Sequence, residues 1–269
     1  MYIPDARNWR SEVGSSILSQ VYKVENEEAV DVDGNLLFNI QHNYIENGYD
    51  LFRQSNITQF NGVLPVLKIG EQMFGYSKLT SWSVALPMLV TADNMFNGCS
   101  SMTSFNARID KVTSAWYMFN GCSSLTDVTL PNGLSALTDG TAMFKGCSLS
   151  YASLNNILNA LPTRNGNVIE ITIADSVKDD MVNAGSWEGV SIPAYNSGNY
   201  YEFTHNGWNV RLTSRTGFTL IEEVVEPDDV INEKDLSEAN GNLNATSSWN
   251  TQYGRNSGII KVINGVAYN

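Results

Sequence analysis

Apolar residues recur along the middle of the chain at a spacing that fits neither one long helix nor one strand. A phenylalanine returns every 22 to 25 residues, and an apolar residue follows each one five or six positions later. The phenylalanines are Phe52, Phe74, Phe96, Phe119 and Phe144, and the residues that follow are Ile57, Leu79, Met102, Leu125 and Leu149. One such unit cannot bury its apolar face alone, so the period predicts units that stack on one another.

The clearest unit is CSSLTDVTLPNGLSALTDGTAMFKGC, residues 122–147. Its LTDVTL segment predicts a short strand with Leu125, Val128 and Leu130 pointing to one side. PNG then turns the chain, and a loose segment with Leu134 and Leu137 returns along the other edge. We expect AMF to form a single helical turn that places Phe144 in the core.

Three cysteines, Cys99, Cys122 and Cys147, each follow a core phenylalanine by three residues. They are either chemical ligands or one packing position repeated. Zinc sites favour close cysteine pairs with further ligands nearby, and an odd number does not suggest a disulfide framework. The spacing therefore favours a ladder of buried thiols, with the preceding glycines (Gly98, Gly121 and Gly146) allowing a tight turn.

These motifs resemble a known family. The run CSSLTDVTLPNGLSALTDGTAMFKGCSL is similar to the BspA-like leucine-rich repeat of bacterial surface proteins, with Met-Phe where Ala-Phe is usual. The resemblance covers about residues 50–150. Residues 148–210 more loosely resemble the segment that closes such arrays in gut bacteria and their bacteriophages. The resemblance implies a curved solenoid used for binding or adhesion, without catalysis.

The expected fold is α/β leaning to β, a short leucine-rich-repeat solenoid with an N-terminal cap and an extended β-rich C-terminal region. We divide the chain into a cap or attachment segment (1–48), the repeats (49–150), an α/β closing segment (151–212) and a predicted interaction arm (213–269).

Several elements outside the repeats follow from local patterns. AVDVDGNLLFNIQ predicts a hairpin around an Asp-Gly turn, and GIIKVINGVAYN predicts a terminal β run. SYASLNNILNALP has helical spacing, with Ser153 as the expected N-cap. NVIEITIA and GWNVRLTS predict strands, and SVKDDMVNAG a helix that stops at Gly185.

Composition narrows the function. The net charge of −12 argues against nucleic acid and anionic membrane surfaces as partners, and no apolar run is long enough to insert in a membrane. The chain lacks the common hydrolase and phosphate-binding motifs, so we expect no enzyme, no cofactor and no metal. His42 and His205 are isolated. The carboxylate pairs Glu222–Glu223 and Asp228–Asp229 do not have the spacing of a calcium loop, and NATS at 244–247 is a glycosylation motif.

A binding surface is easier to place. Ser83, Asn106 and Thr129 fall at an outward position of three successive strands, which predicts a small polar row on the sheet face. This row is either a binding face or ordinary solvated surface. The aromatic candidates for anchors are Trp116, Tyr117, Trp187, Tyr200 and Tyr201, each of which fits the core equally well.

The favoured function is a structural or adhesive bacteriophage virion component, in a tail, fibre or capsid-associated position. The N-terminus of the chain does not show the basic start and apolar run of a secretion signal, so we expect assembly in the host cytoplasm. Expected partners are other virion proteins, copies of the chain itself, or a host receptor or glycan. The alternative is an adhesin-like module at the bacterial cell surface.

Overall fold

The computed structural model describes residues 13–184, 186–187, 190–191, 201–216, 230–231, 261–263 and 266–268. The chain divides into two compact units, residues 1–219 and 220–269. It is a mixed α/β chain with few helices and many short strands among the described residues.

The described part of the first unit begins with a helix and a small antiparallel sheet. These elements are α1 (Ser15–Leu18), β1 (Lys23–Glu25), β2 (Glu28–Val30) and β3 (Leu36–Asn39). The predicted Asp-Gly hairpin is confirmed between β2 and β3, where Gly34 has φ +83° and the Asp31 carboxylate accepts the N–H of Asn35 at 2.8 Å. Strand β1 pairs in parallel with β4 (Gln59–Phe60), the strand of the first repeat. The hairpin thus lies at one end of the stacked repeats.

The repeats are joined by parallel strands in register. They are β5 (Ser81–Trp82), β6 (Ser104–Asn106) and β7 (Asp127–Thr129). Strand β4 pairs with β1 instead and is linked to the second repeat by the Thr80 N–H, which donates to the Thr58 carbonyl at 3.2 Å. Trp82 is paired with Phe105, and Phe105 with Val128, so equivalent residues lie side by side. Parallel bridges join the repeats a second time, through Asn47, Ile69, Thr91, Ser114 and Asp139. Each repeat therefore hydrogen-bonds to the next on two sides.

The core of the stack is a column of phenylalanine rings. Phe52, Phe74, Phe96, Phe119 and Phe144 stack in sequence, with ring centroids 5.3–5.6 Å apart and planes inclined by 4–16°. All five side chains are fully buried. Burying each ring stabilises the fold by roughly 1.5–3 kcal/mol, and each aromatic pair adds about 0.5–1.5 kcal/mol.

Two left-handed backbone positions bracket each of these phenylalanines. The residue two before the ring has φ between +51° and +61°, and the residue two after it has φ between +58° and +74°. The later set is Gln54, Tyr76, Gly98, Gly121 and Gly146. The predicted glycine turns are confirmed, and two earlier repeats hold the same strained conformation with larger residues. The hydrogen bonds between adjacent turns, such as Phe96 N–H to the Met118 carbonyl at 2.9 Å, hold this conformation in place.

The helical turn expected at AMF is wrong. Residues Gly140–Leu149 form a strand, β8, which pairs in parallel with β9 (Val168–Ile173). The corresponding turns of the earlier repeats each lie beside another turn. The segment around Phe144 lies beside the regular strand β9 instead, and its backbone groups pair with those of that strand. The two left-handed residues persist as Ala142 and Gly146, and the pairing shifts register around them.

A helix follows, α2 (Tyr151–Ala160), and its cap differs from the prediction. Ser150 is the N-cap, because its hydroxyl accepts the N–H of Ser153 at 3.3 Å. Ser153 is buried and serves strand β7 instead: its Oγ accepts the Val128 N–H at 2.8 Å and donates to the Thr126 carbonyl at 2.8 Å. Asn156 Oδ1 likewise accepts the Leu130 N–H at 2.9 Å. Side chains of α2 therefore occupy the edge of the last repeat strand.

The remaining elements of the first unit close the array. They are β9, α3 (Asp175–Ala184), β10 (Ser186–Trp187), β11 (Val190–Ser191), β12 (Tyr201–His205) and β13 (Trp208–Ser214). The sheet order is β12-β13-β9-β8, with β8, β9 and β13 parallel and β12 antiparallel. Both predicted strands and both predicted helices are confirmed, and the predicted helix stop at Gly185 lies outside the described residues. The four segment boundaries given above stay predictions.

The second unit contains a three-stranded antiparallel sheet. Its strands are β14 (Val230–Ile231), β15 (Lys261–Ile263) and β16 (Val266–Tyr268), in the order β14-β16-β15. The terminal β run is thereby confirmed for its strand residues. The predicted interaction arm otherwise falls largely outside the described residues, as do the two carboxylate pairs and the NATS motif.

Candidate functional site

The strands of the repeats present a polar surface on the side away from the phenylalanine column. Inward residues such as Phe105 and Val128 are buried, and the residues on either side of them point outward. We call this surface the polar sheet face and define it as Gln59, Asn61, Ser81, Ser83, Ser104, Asn106, Asp127 and Thr129. Seven of these residues are exposed and Ser104 is half-buried. The only charge in the set belongs to Asp127.

All three predicted outward residues lie on this face. Asn106 and Thr129 are paired across β6 and β7, and Ser83 directly follows β5. The sequence reasoning missed the parallel row that precedes each buried residue, which contains Ser81, Ser104 and Asp127. The alternation of a strand indicates both rows, since outward residues flank each inward one. That these residues bind a partner stays a prediction.

A row of threonines runs along the start of these strands and fixes their spacing. Each threonine hydroxyl donates to the backbone carbonyl of the threonine one repeat earlier, at 3.2–3.3 Å. The row consists of Thr58, Thr80, Thr103 and Thr126, and the Thr58 hydroxyl donates to Tyr22. These hydrogen bonds join the side chain of one repeat to the backbone of the repeat before it. They therefore hold the strands that carry the polar sheet face in a fixed arrangement.

The cysteines form a second ladder, inside the core. Cys99, Cys122 and Cys147 are free thiols with no exposed surface. Each Sγ donates to the carbonyl of the phenylalanine in the preceding repeat, namely Phe74, Phe96 and Phe119, at 3.1–3.3 Å. The predicted ladder of small buried side chains is the geometry found.

Two serines extend this ladder toward the N-terminus, which the sequence reasoning missed. Ser55 and Ser77 occupy the same position after Phe52 and Phe74, and both are buried. The Ser55 hydroxyl donates to the Phe52 carbonyl at 2.7 Å, and Ser77 Oγ lies 3.4 Å from Cys99 Sγ. The sequence does indicate this, because a serine or a cysteine, both small hydrogen-bond donors, stands three residues after each phenylalanine. The position thus selects for size and hydrogen bonding, not for sulfur chemistry.

Burial makes these thiols poor nucleophiles. It raises the pKa of Cys99 to about 11, although Ser77 lowers it slightly by hydrogen bonding. Burial likewise raises the pKa of Cys122 and of Cys147. The thiolate is the reactive form, so the ladder is chemically inert near neutral pH.

We expect slow labelling of all three thiols by Ellman's reagent at pH 8 in the folded protein, and fast labelling in denaturant. The matched control is Ser124→Cys, which adds a thiol at an exposed position two residues after Cys122. Its added thiol should react at the rate of a small free thiol. Labelling of two or more native cysteines as fast as this control would overturn the buried ladder.

A separate groove of about 280 Å³ lies on the phenylalanine-turn side of the repeats. It is lined by Arg53, Gln72, Gly75, Tyr76, Asn94, Asn97 and Trp116, which come from four successive repeats. Tyr76 is 54% exposed and Trp116 43% exposed. Among the aromatic candidates, Trp116 is therefore on the surface and Tyr117 is half-buried. Tyr201 is buried, which is the core alternative given for it above. The side chains of Trp187 and Tyr200 lie outside the described residues.

The polar groups singled out for chemistry have structural partners. His42 is buried, with Nδ1 2.9 Å from the Val63 carbonyl oxygen, and its ring packs edge-on against Phe60. His205 is half-buried at the end of β12. In the described part of the chain no three His, Cys, Asp or Glu side chains converge as a metal site would require. No helix in that part is long and apolar enough to cross a membrane.

Comparison with known proteins agrees with the repeat geometry. Residues 44–164 match the family described as "BspA type Leucine rich repeat region", in six copies. No curated protein and no solved structure is significantly similar to the chain. Repeats of the leucine-rich class serve protein–protein binding or surface adhesion. The matched region extends the resemblance seen in the sequence at both ends, and residues 44–164 are a BspA-type leucine-rich repeat region.

Proposed function

We propose that the repeats form a solenoid whose polar sheet face binds another protein, and that the chain is not an enzyme. The observation that carries this proposal is the row of outward polar residues across the three paired strands β5–β7, which the threonine row ties to β4 of the first repeat. Solenoids of stacked repeats use such surfaces for recognition.

The side chains of this face suit a protein partner. Most are short, so they lose little conformational entropy when a partner covers them. Serine, threonine and asparagine both donate and accept hydrogen bonds, which fits the mixed polarity of a protein surface. With Asp127 as its only charge, the face neither requires nor repels a strongly charged partner.

Within that class the setting we favour is a bacteriophage virion, in a tail, fibre or capsid-associated position. Its support is the resemblance of residues 148–210 to the segment that closes such arrays in gut bacteria and their bacteriophages. The second candidate is an adhesin-like module at the bacterial cell surface, which the BspA-type repeats favour. The two settings differ in the partner that covers the polar sheet face.

Site-specific photocrosslinking tests the proposal. A benzophenone amino acid at Asn106, in the cells that naturally produce the chain, should give one discrete adduct, because this residue lies at the centre of the face. The same amino acid at Val90, which is exposed on the stretch between strand and turn, is the matched control. An adduct with a particle protein or a second copy of the chain supports the virion setting, and one with a host-surface protein supports the adhesin. Equal labelling from both positions would contradict the proposed face.

A further inference from the structure

The groove on the phenylalanine-turn side is built from groups that differ in kind from those of the polar sheet face. Its lining combines two exposed aromatic rings with three side-chain amides, those of Gln72, Asn94 and Asn97. Arg53 is its only charged residue, and the guanidinium lies 3.6 Å from Asp50 Oδ1. The groove is therefore close to neutral, which excludes a strongly charged ligand as its best occupant.

Two of these amides, those of Asn94 and Asn97, are bonded to each other and still have bonding capacity. Asn97 Nδ2 donates to Asn94 Oδ1 at 2.6 Å. That bond uses one donor of Asn97 and one acceptor site of Asn94, and a primary amide has two N–H donors and a carbonyl with two lone pairs. The pair thus offers donors and acceptors side by side at a fixed spacing. A ligand whose neighbouring groups both donate and accept, such as a pair of adjacent hydroxyls, matches this arrangement.

The aromatic walls are also held in place. The Tyr76 ring covers Gly98 so closely that a methyl group added to Gly98 would lie 2.5 Å from it, and Arg53 lies 5.9 Å from the ring centre. The backbone N–H of Trp116 donates to Asp93 Oδ1 at 3.0 Å, which fixes the main chain there, and the Trp116 ring contacts Tyr117 edge-on with centroids 4.4 Å apart. Side chains ordered before binding lose less entropy on binding.

Other occupants fit less well. An apolar helix needs an apolar groove, and this lining is polar apart from its two rings. A peptide strand would need free backbone groups along the groove, but the turns there hydrogen-bond to one another. The Tyr76 N–H donates to the Asn97 carbonyl at 2.6 Å, and the Asn94 N–H donates to the Trp116 carbonyl at 2.8 Å.

We infer that this groove binds a neutral saccharide, with a sugar ring against Trp116 and its hydroxyls on Asn94, Asn97 and Gln72. The C–H face of a sugar is apolar and weakly positive, which complements the negative face of an indole ring. The groove crosses four repeats, and adjacent repeats are about 4.8 Å apart, so its length of about 14 Å accommodates a short oligosaccharide. Few polar groups around an aromatic surface are typical of specific small-ligand sites.

The test is binding of the full chain to an array of neutral, sulfated and sialylated oligosaccharides, followed by calorimetry with the best neutral glycan. We expect at least one neutral glycan to bind, and Trp116→Ala to weaken it by about two- to tenfold, since one well-placed aromatic contact corresponds to that change. Asn97→Ala should weaken it as well. Tyr151→Ala removes another exposed aromatic residue, away from the groove, and should leave the affinity unchanged.

Three outcomes would overturn the inference: no neutral glycan bound at millimolar concentration, an affinity that Trp116→Ala leaves unchanged, or capture of sulfated and sialylated glycans alone. Circular dichroism of each variant establishes that it is folded. The photocrosslinking at Asn106 does not involve the groove, so a failure here leaves the protein-binding proposal standing, and the reverse also holds.

Discussion

Replacing Phe96 by alanine is expected to lower the free energy of unfolding by about 3–5 kcal/mol. Phe96 is the central ring of the phenylalanine column, between Phe74 and Phe119, and both neighbours stack on it with centroids 5.5–5.6 Å away. Trp82 and Phe105 also contact it, at 5.1 and 5.9 Å. Alanine leaves a cavity among rigid aromatic groups that cannot collapse into it, so the cost should lie at the upper end of this range.

Urea denaturation followed by circular dichroism measures this change. Phe96→Leu keeps most of the volume and should cost less than half as much. Tyr151→Ala removes a large ring that is 44% exposed and should change the free energy of unfolding by about 0.5 kcal/mol or less. A Phe96→Ala variant as stable as the Tyr151→Ala variant would mean that the column does not carry the stability of the repeats.

A second large effect is expected at Gly207, where alanine should cost roughly 3 kcal/mol or more. Gly207 turns the chain between β12 and β13 with φ +80°, and a β-carbon there would overlap the backbone carbonyl of Arg164. The Arg164 N–H is bonded to the Asn206 carbonyl at 2.9 Å, so this segment cannot move aside without losing a hydrogen bond. Two penalties therefore add, one for the left-handed backbone and one for the overlap.

Gly166 supplies the matched control. Its φ is +78°, and no atom lies within 4 Å of the position that a β-carbon would take. Gly166→Ala should thus cost only the backbone term, about 1–2 kcal/mol. The same denaturation experiment on both variants separates the two penalties, and equal losses would show that the Arg164 carbonyl yields freely.

The sequence predicts the repeats well because their signals are local. A ring every 22 to 25 residues, with a small residue three positions later, marks the core column and the thiol ladder. The flanking helices and strands follow from ordinary helical and alternating patterns. In these elements the size and polarity of each residue are enough to indicate whether it is buried or exposed.

Other features depend on neighbours that are distant in the chain. The left-handed conformation of Tyr76 is held by bonds to the next repeat, and the residue type gives no indication of it. AMF forms a strand because β9 lies beside it, although the same motif forms turns elsewhere. The sequence predicts Ser153 as a helix N-cap, yet its hydroxyl accepts a hydrogen bond from a strand residue 25 positions earlier. The groove at Trp116 joins residues from four repeats, so no contiguous motif marks it.

Parallel strands that pair in register have no built-in stopping point, since the last one always presents the groups that the next would need. Helix α2 resolves this with two side chains, Ser153 and Asn156, which supply the acceptors that a further repeat would otherwise bring to Val128 and Leu130. The number of repeats is therefore fixed by the amino-acid sequence, because α2 occupies the position that a further repeat would take. Such a terminator lets a stack of self-complementary repeats end at a fixed length.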